Sequence, residues 1–172
     1  MDVAGVRALV DLSRREQRER LVAAAGDGGW WLFVVQVCAG GADEDGRAAG
    51  WARLTAVVLG AALDTGGLSA DEVAVRRASL VAALAPCGPP EDVDPSLRTD
   101  DVVRECLRLT GTTAAEVAAT PWALRAEDVP VLRRLRRVRT LVGAALWPAD
   151  HVHDAGLRAE LAGWRAVLPR LP

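Results

Sequence analysis

The chain has no lysine, asparagine, isoleucine or tyrosine, and its single phenylalanine is Phe33. Without lysine there is no Schiff-base nucleophile and no P-loop lysine, and without tyrosine there is no phenolic acid. All of these residues have AT-rich codons. The depletion therefore reads as the coding bias of a high-GC bacterial genome, and the same bias helps explain why all 21 basic residues are arginine. Cysteine is scarce as well. Cys38, Cys87 and Cys106 are odd in number, widely separated and without a CxxC pair, which argues against a disulfide framework or a zinc ribbon and suggests three small buried hydrophobes. No uncharged apolar run reaches the roughly 18 residues of a membrane span. The N-terminal MDVAGVRALVDLSRREQRER has no basic region leading into an apolar core. The expectation is a cytoplasmic protein without a membrane partner.

The rest of the composition is that of an ordinary globular chain: 172 residues, 51% hydrophobic, 26% charged, net charge −2. One domain of this length buries about 70% of the surface its unfolded chain exposes and needs no covalent staples. With a pI near 5.7, bulk binding to a polyanion is disfavoured, so nucleic-acid binding would have to rest on a local patch.

Hydrophobic periodicity points to a single all-α domain, an irregular bundle of about seven helices. The best-defined segment is 128–147, DVPVLRRLRRVRTLVGAALW. Asp128 is an N-cap residue, Pro130 suits the first turn, and Pro148 stops the helix after Trp147. Val131, Leu135, Val138, Val142 and Leu146, spaced four, three, four and four apart, predict a buried stripe flanked by Leu132 and Leu141. Segment 52–63, apolar on nearly every side, is the expected partner of this helix at the centre of the domain. Ser13 with Glu16, Ser69 with Glu72 and Thr113 with Glu116 have the spacing of capping boxes. Trp30 to Cys38, nearly all apolar, fits a buried strand or a buried helix. With no second strand to pair it, a short helix is expected, followed by a loop at 40–46. Gly60 and Gly143 each sit in a Gly-Ala-Ala-Leu late in an apolar helix, which suggests close helix crossings.

Arg133, Arg134, Arg136, Arg137 and Arg139 place five guanidinium groups in seven positions. From Arg125 to Arg139 six arginines face only Glu127 and Asp128, a local +4 that leaves −6 for the remainder. The helix dipole does not account for this, because the arginines crowd the N-terminal half, where anions are favoured. Some acidic group should face them. One candidate lies within the chain, in Glu91, Asp92, Asp94, Asp100 and Asp101. The others are an acidic protein partner and, third, nucleic acid, since arginine forks bind carboxylate and phosphate bidentately.

Two further groups of residues merit attention. Asp150, His151, His153 and Asp154 are the one cluster of metal-ligand types, although Asp154 is also placed to cap the last helix. Trp30 and Trp122, among six tryptophans that mostly fall near helix ends, are candidates to line a small-molecule pocket. No cofactor motif is found. Trp31 stands where G-x-G-x-x-G needs its third glycine, Asp71 where G-x-S-x-G needs its last, and 113–120 is too short for a recognition helix. No catalytic residue can be assigned. The leading expectation is a non-enzymatic interaction or regulatory protein that presents its arginine face to an acidic partner. A helical small-molecule-binding or enzymatic domain is the alternative, and a homo-oligomer is compatible with either.

Overall fold

The computed structural model describes residues 1–44, 46–120 and 129–172, with the backbone alone at 42–44. The helices in chain order are α1 (Val3–Arg7), α2 (Arg14–Ala24), α3 (Gly28–Glu44), α4 (Ala48–Asp64), α5 (Ala70–Leu84), α6 (Pro90–Val93), α7 (Thr99–Leu109), α8 (Ala114–Ala119), α9 (Val129–Leu146) and α10 (Ala155–Val167). Short 3-10 turns follow α5, α6, α9 and α10. There is no strand among the described residues, and the expected all-α class holds.

Local chemistry sets most of the helix starts. Ser13, Ser69 and Thr113 each accept from the backbone N–H three residues on, while Glu16, Glu72 and Glu116 reach back to the cap's own N–H, so all three capping boxes close. Asp154 caps α10 by accepting from the Leu157 N–H at 2.8 Å. The proposed cap of α9, Asp128, lies outside the described residues. At the end of α4 the chain turns through Gly66 at φ +70°. The Gly67 N–H then reaches Ala62 O at 2.8 Å and the Gly66 N–H reaches Leu63 O at 3.1 Å, a Schellman closure that satisfies two terminal carbonyls.

The helices enclose two adjoining apolar clusters. One gathers Val6, Leu9, Leu21, Trp31, Trp51 and Leu54 from α1 to α4 and their connections. The other gathers Val103, Val138, Leu141, Leu161 and Trp164 from α7, α9 and α10. Helix α5 serves both, turning Val73 to the first and Ala74, Ala78 and Val81 to the second. The expected central pairing of 52–63 with 129–147 is therefore not how the helices meet. Helix α4 packs chiefly on α2, α3 and α5, α9 packs chiefly on α5 and α7, and α5 stands between them. A helix as apolar as α4 needs cover on several sides, and these three neighbours supply it.

Several local expectations need correction. Helix α3 is longer than Trp30 to Cys38 and passes through Gly40 and Gly41 instead of looping there. Gly41 serves packing, since a Cβ on it would lie 2.4 Å from the Trp51 ring. The buried face of α9 is Leu135, Val138, Leu141, Val142, Ala144 and Ala145. Val131 is 40% exposed and Leu146 is half-buried, so small alanines take the place of larger residues in the inner stripe. Cys38 and Cys106 are buried, and burial pushes each thiol up to about 12. Cys87 is exposed, contrary to expectation.

The Gly60 and Gly143 crossings also fail. A Cβ on Gly143 would meet nothing within 4 Å, and one on Gly60 would meet only Arg77 Nη2 at 3.8 Å. Besides Gly41, a close approach lies at Gly67 in the turn after α4, whose Cβ would stand 2.0 Å from Trp31 Cδ1. Gly143→Ala is thus expected to stabilise the fold by up to about 1 kcal/mol through reduced backbone freedom. Gly67→Ala should destabilise it by about 1–3 kcal/mol, as overpacking does. Chemical denaturation of the two variants checks both signs, and a destabilised Gly143→Ala would show that this helix position is crowded after all.

The capping boxes also set a pH response. Hydrogen bonds to their Ser and Thr partners hold the Glu16, Glu72 and Glu116 carboxyls below the ordinary value of 4.5. A carboxyl depressed in the folded state contributes stability above its unfolded pKa, near 4.3, and that contribution is lost as pH falls through the folded value. The melting temperature should accordingly be insensitive to these groups from pH 7 to about pH 5 and decline below that. In the triple Glu→Gln variant, which keeps the cap geometry without the charge, this part of the acid decline should be absent. An identical acid limb in both proteins would remove the boxes as its source.

Candidate functional site

Helix α9 carries the arginine block on the sides left over from packing. At about 100° per residue, Val129, Arg133, Arg136, Thr140, Gly143 and the position of Trp147 fall within about 80° of one another, opposite the buried face. Arg133, Arg136 and Thr140 on this outer line are exposed and Gly143 is half-buried. Its two ends are apolar, with Val129 at 45% and Trp147 at 55% exposure. Trp147 follows the last helical residue, its N–H donating to Ala144 O at 3.1 Å.

The five arginines divide by what they touch. Arg137 makes a forked pair with Asp71 on α5, donating from Nε to Oδ2 and from Nη2 to Oδ1, the latter at 2.7 Å. Arg139 donates from Nη1 to Leu171 O at 2.9 Å and ties the C-terminal segment to α9. Arg134 stands near Glu116 and adds to the hydrogen bonds that hold that carboxyl low. The guanidinium groups of Arg133 and Arg136 have no hydrogen bond or ion pair among the described residues. Two of the five predicted binding residues therefore have structural partners, one has a weak electrostatic neighbour, and two have none among the described residues.

The acidic residues of 91–101 do not neutralise this face. Asp94, fully buried, accepts from the Ser96 N–H at 2.9 Å and the Ser96 hydroxyl at 2.7 Å. It also forms an ion pair with Arg14 at 3.0 Å, latching α2 onto the segment between α6 and α7. Asp100 accepts the N–H groups of His153 and Asp154 at 2.9 and 3.0 Å, and Asp101 faces Arg104 at 3.3 Å. The carboxylate that meets the arginine block is Asp71, part of the acidic first turn of α5.

The histidine cluster is spread among other tasks. Asp154 gives one oxygen to the α10 cap and the other to Arg104 at 2.8 Å, and Asp150 faces Arg165 at 3.3 Å. His151 and His153 are exposed. No group of three metal-ligating side chains forms among the described residues, so Asp150, His151, His153 and Asp154 do not assemble as the sequence suggested. The reason is that the two carboxylates already serve cationic and backbone partners.

Of the two pocket tryptophans, Trp30 is half-buried and packs edge-on against Trp31, with ring centroids 4.7 Å apart. Trp122 lies outside the described residues. Among the described residues the exposed tryptophan is Trp147, which was not among the pocket candidates. It stands at one end of a cleft of about 470 Å³ between α5 and α9, with Asp71, Val75, Arg76, Arg137 and Thr140 among the lining residues. The signal was available, because counting from Val129 at the helical period puts position 147 on the outer line.

No family model, curated protein or solved structure matches this chain. The chemistry open to the outer line of α9 is ion pairing by Arg133 and Arg136 together with apolar contact at Val129 and Trp147. No described helix is long and apolar enough to cross a membrane.

Arg137 and Arg133 should separate cleanly in stability measurements. The side chains of Arg137 and Asp71 are 45% and 30% exposed, so solvent screening limits their pair to about 0.2–1 kcal/mol. Arg137→Ala and Asp71→Ala should each destabilise by that order, with the double variant no worse than either single one. Arg133→Ala should stay within about 0.5 kcal/mol of wild type, as for a surface side chain without a partner. Additive losses at 137 and 71 would show that the pair contributes nothing jointly.

Proposed function

We propose that this chain is a non-enzymatic interaction or regulatory protein, bacterial in origin, that presents the outer line of α9 to an acidic protein partner. The observation that carries this reading is the pair of guanidinium groups at Arg133 and Arg136. They are exposed one turn apart, and neither has an acidic partner among the described residues. Arginine forks recognise carboxylates bidentately, and a charge that the fold leaves unmatched favours an oppositely charged surface. Val129 and Trp147, exposed at the two ends of the same line, supply apolar contacts of the kind that anchor protein interfaces. A protein partner is preferred to nucleic acid because only two cations are free on this line. Phosphate-backbone binding generally recruits more, and the chain as a whole is acidic.

The test is affinity capture from nuclease-treated extract of the native host, with wild-type protein and with the Arg133→Glu, Arg136→Glu double variant. Wild type should retain an acidic protein whose binding weakens as salt rises, because exposed charge pairs are screened. The charge-reversed variant, with an unchanged melting temperature, should not retain it. Undiminished capture by the double variant, or capture that disappears with nuclease alone, would overturn the reading.

A further inference from the structure

A second cleft lies on the other side of α5 and is of a different kind. It occupies about 430 Å³ between α5 and the pair α3 and α4. Its walls are predominantly apolar, with Val35, Trp51, Ala52, Leu80 and Leu84 among them. Arg76 and Ser79 line this cleft and also the one beside Trp147. They lie three residues apart on α5, on one face of the helix, and so form the saddle between the two clefts. Arg76 is the one charged side chain among the described residues lining the apolar cleft.

Arg53, Arg76 and Arg77 each bury an Nε without a hydrogen-bond partner among the described residues, and of the three Arg76 lines this cleft. The residue is half-buried, its Nε is buried, and it has no hydrogen bond or ion pair among the described residues. The acid one turn earlier, Glu72, is its electrostatic neighbour but makes no hydrogen bond or ion pair with it. That carboxylate is committed to its capping box, with Oε2 accepting from the Ser69 N–H at 2.9 Å and the Ser69 hydroxyl at 2.7 Å. Asp71 is likewise committed to Arg137. A guanidinium whose donors are partly removed from water and met by no hydrogen-bond acceptor among the described residues carries a desolvation penalty that a bound anion would relieve.

We propose that this cleft binds a small amphipathic monocarboxylate, such as a medium-chain fatty acid. The carboxylate sits at the saddle, paired with the Arg76 guanidinium beside the Ser79 hydroxyl, and the tail lies against Trp51, Leu80 and Leu84. One planar fork matches one carboxylate. A dianion such as a phosphate ester would meet the neighbouring charges of Glu72 and Asp71 with only a single unpaired cation to offset them. The size and largely apolar lining fall within the range of small-molecule sites. This site is separate from the Arg133 and Arg136 line and stands or falls independently of it.

Decanoate below its micellar concentration is the probe, with binding followed by calorimetry and by the fluorescence of Trp51. Wild type should bind it saturably, and decanol, which keeps the tail without the charge, should bind about tenfold or more weakly. Arg76→Met, which retains an apolar stem, should weaken decanoate to a similar degree and leave decanol unaffected. Ser79→Trp, at an exposed position outside the core, should block decanoate by filling the saddle and guards against a misfolded Arg76 variant. The Arg133→Glu, Arg136→Glu protein should bind decanoate as wild type does. Equal affinity for decanoate and decanol, or decanoate binding undiminished in both cleft variants, would overturn the proposal, as would no saturable binding by wild type.

Discussion

Helix α5 buries Val73 against the N-terminal helices and Ala74, Ala78 and Val81 against the C-terminal ones, so one helix is a wall of both apolar clusters. The rest of the arrangement follows from that double burial. Small alanines on its inner sides let neighbouring backbones come close, as they do on α9 at Ala144 and Ala145 and on α4 at Ala56. Its remaining side cannot also be covered, and there the two clefts open, with Arg76 and Ser79 between them. On the first turn of α5 Asp71 holds Arg137 and Glu72 closes the helix's own cap, while Arg76 and Arg77 further along are half-buried.

Electrostatics in this chain is mostly local accounting between neighbouring helices. Arg14 reaches buried Asp94, Arg18 reaches Asp64, Arg104 reaches Asp154 and Arg137 reaches Asp71, each joining separate helices or their connections. Exposed pairs of this kind add little stability singly; their effect is to fix how the helices sit. Against that background, unmatched cations carry information. Arg133 and Arg136 have no partner among the described residues and lie in water, where the lack costs little, and the proposed partner surface rests on them. Arg76 is partly desolvated and has no hydrogen bond or ion pair among the described residues, with Glu72 as an electrostatic neighbour only, and the proposed carboxylate site rests on it. The same absence of a partner has different consequences at the two places because their solvation differs.

Much of the fold was legible. The capping boxes at Ser13, Ser69 and Thr113, the Asp154 cap and the prolines after α5, α9 and α10 delimit helices through interactions within a few residues, so sequence spacing suffices to find them. The helical assignment of Trp30 to Cys38 followed from the lack of any strand to pair with it. The site was less legible. The arginine block was evident in the sequence, but its division into Arg137 and Arg139, which bind within the fold, and Arg133 and Arg136, which do not, depends on residues 32 and more positions away. The acidic stretch at 91–101 looked like the complement of that block by charge alone. Three of its carboxylates, Asp94, Asp100 and Asp101, proved to be taken by backbone N–H groups and by other arginines.

The sequence by itself determined helical class, most helix limits and the concentration of positive charge on one helix, because these depend on periodicity, caps and composition over one or two turns. Only the tertiary structure decided which glycines meet a neighbouring ring, which cysteine reaches solvent, that α4 packs chiefly on α2, α3 and α5 and not on α9, and which arginines lack a partner among the described residues. Each of those depends on the distance between groups far apart in the chain, and such distances are set by how whole helices share a limited apolar interior.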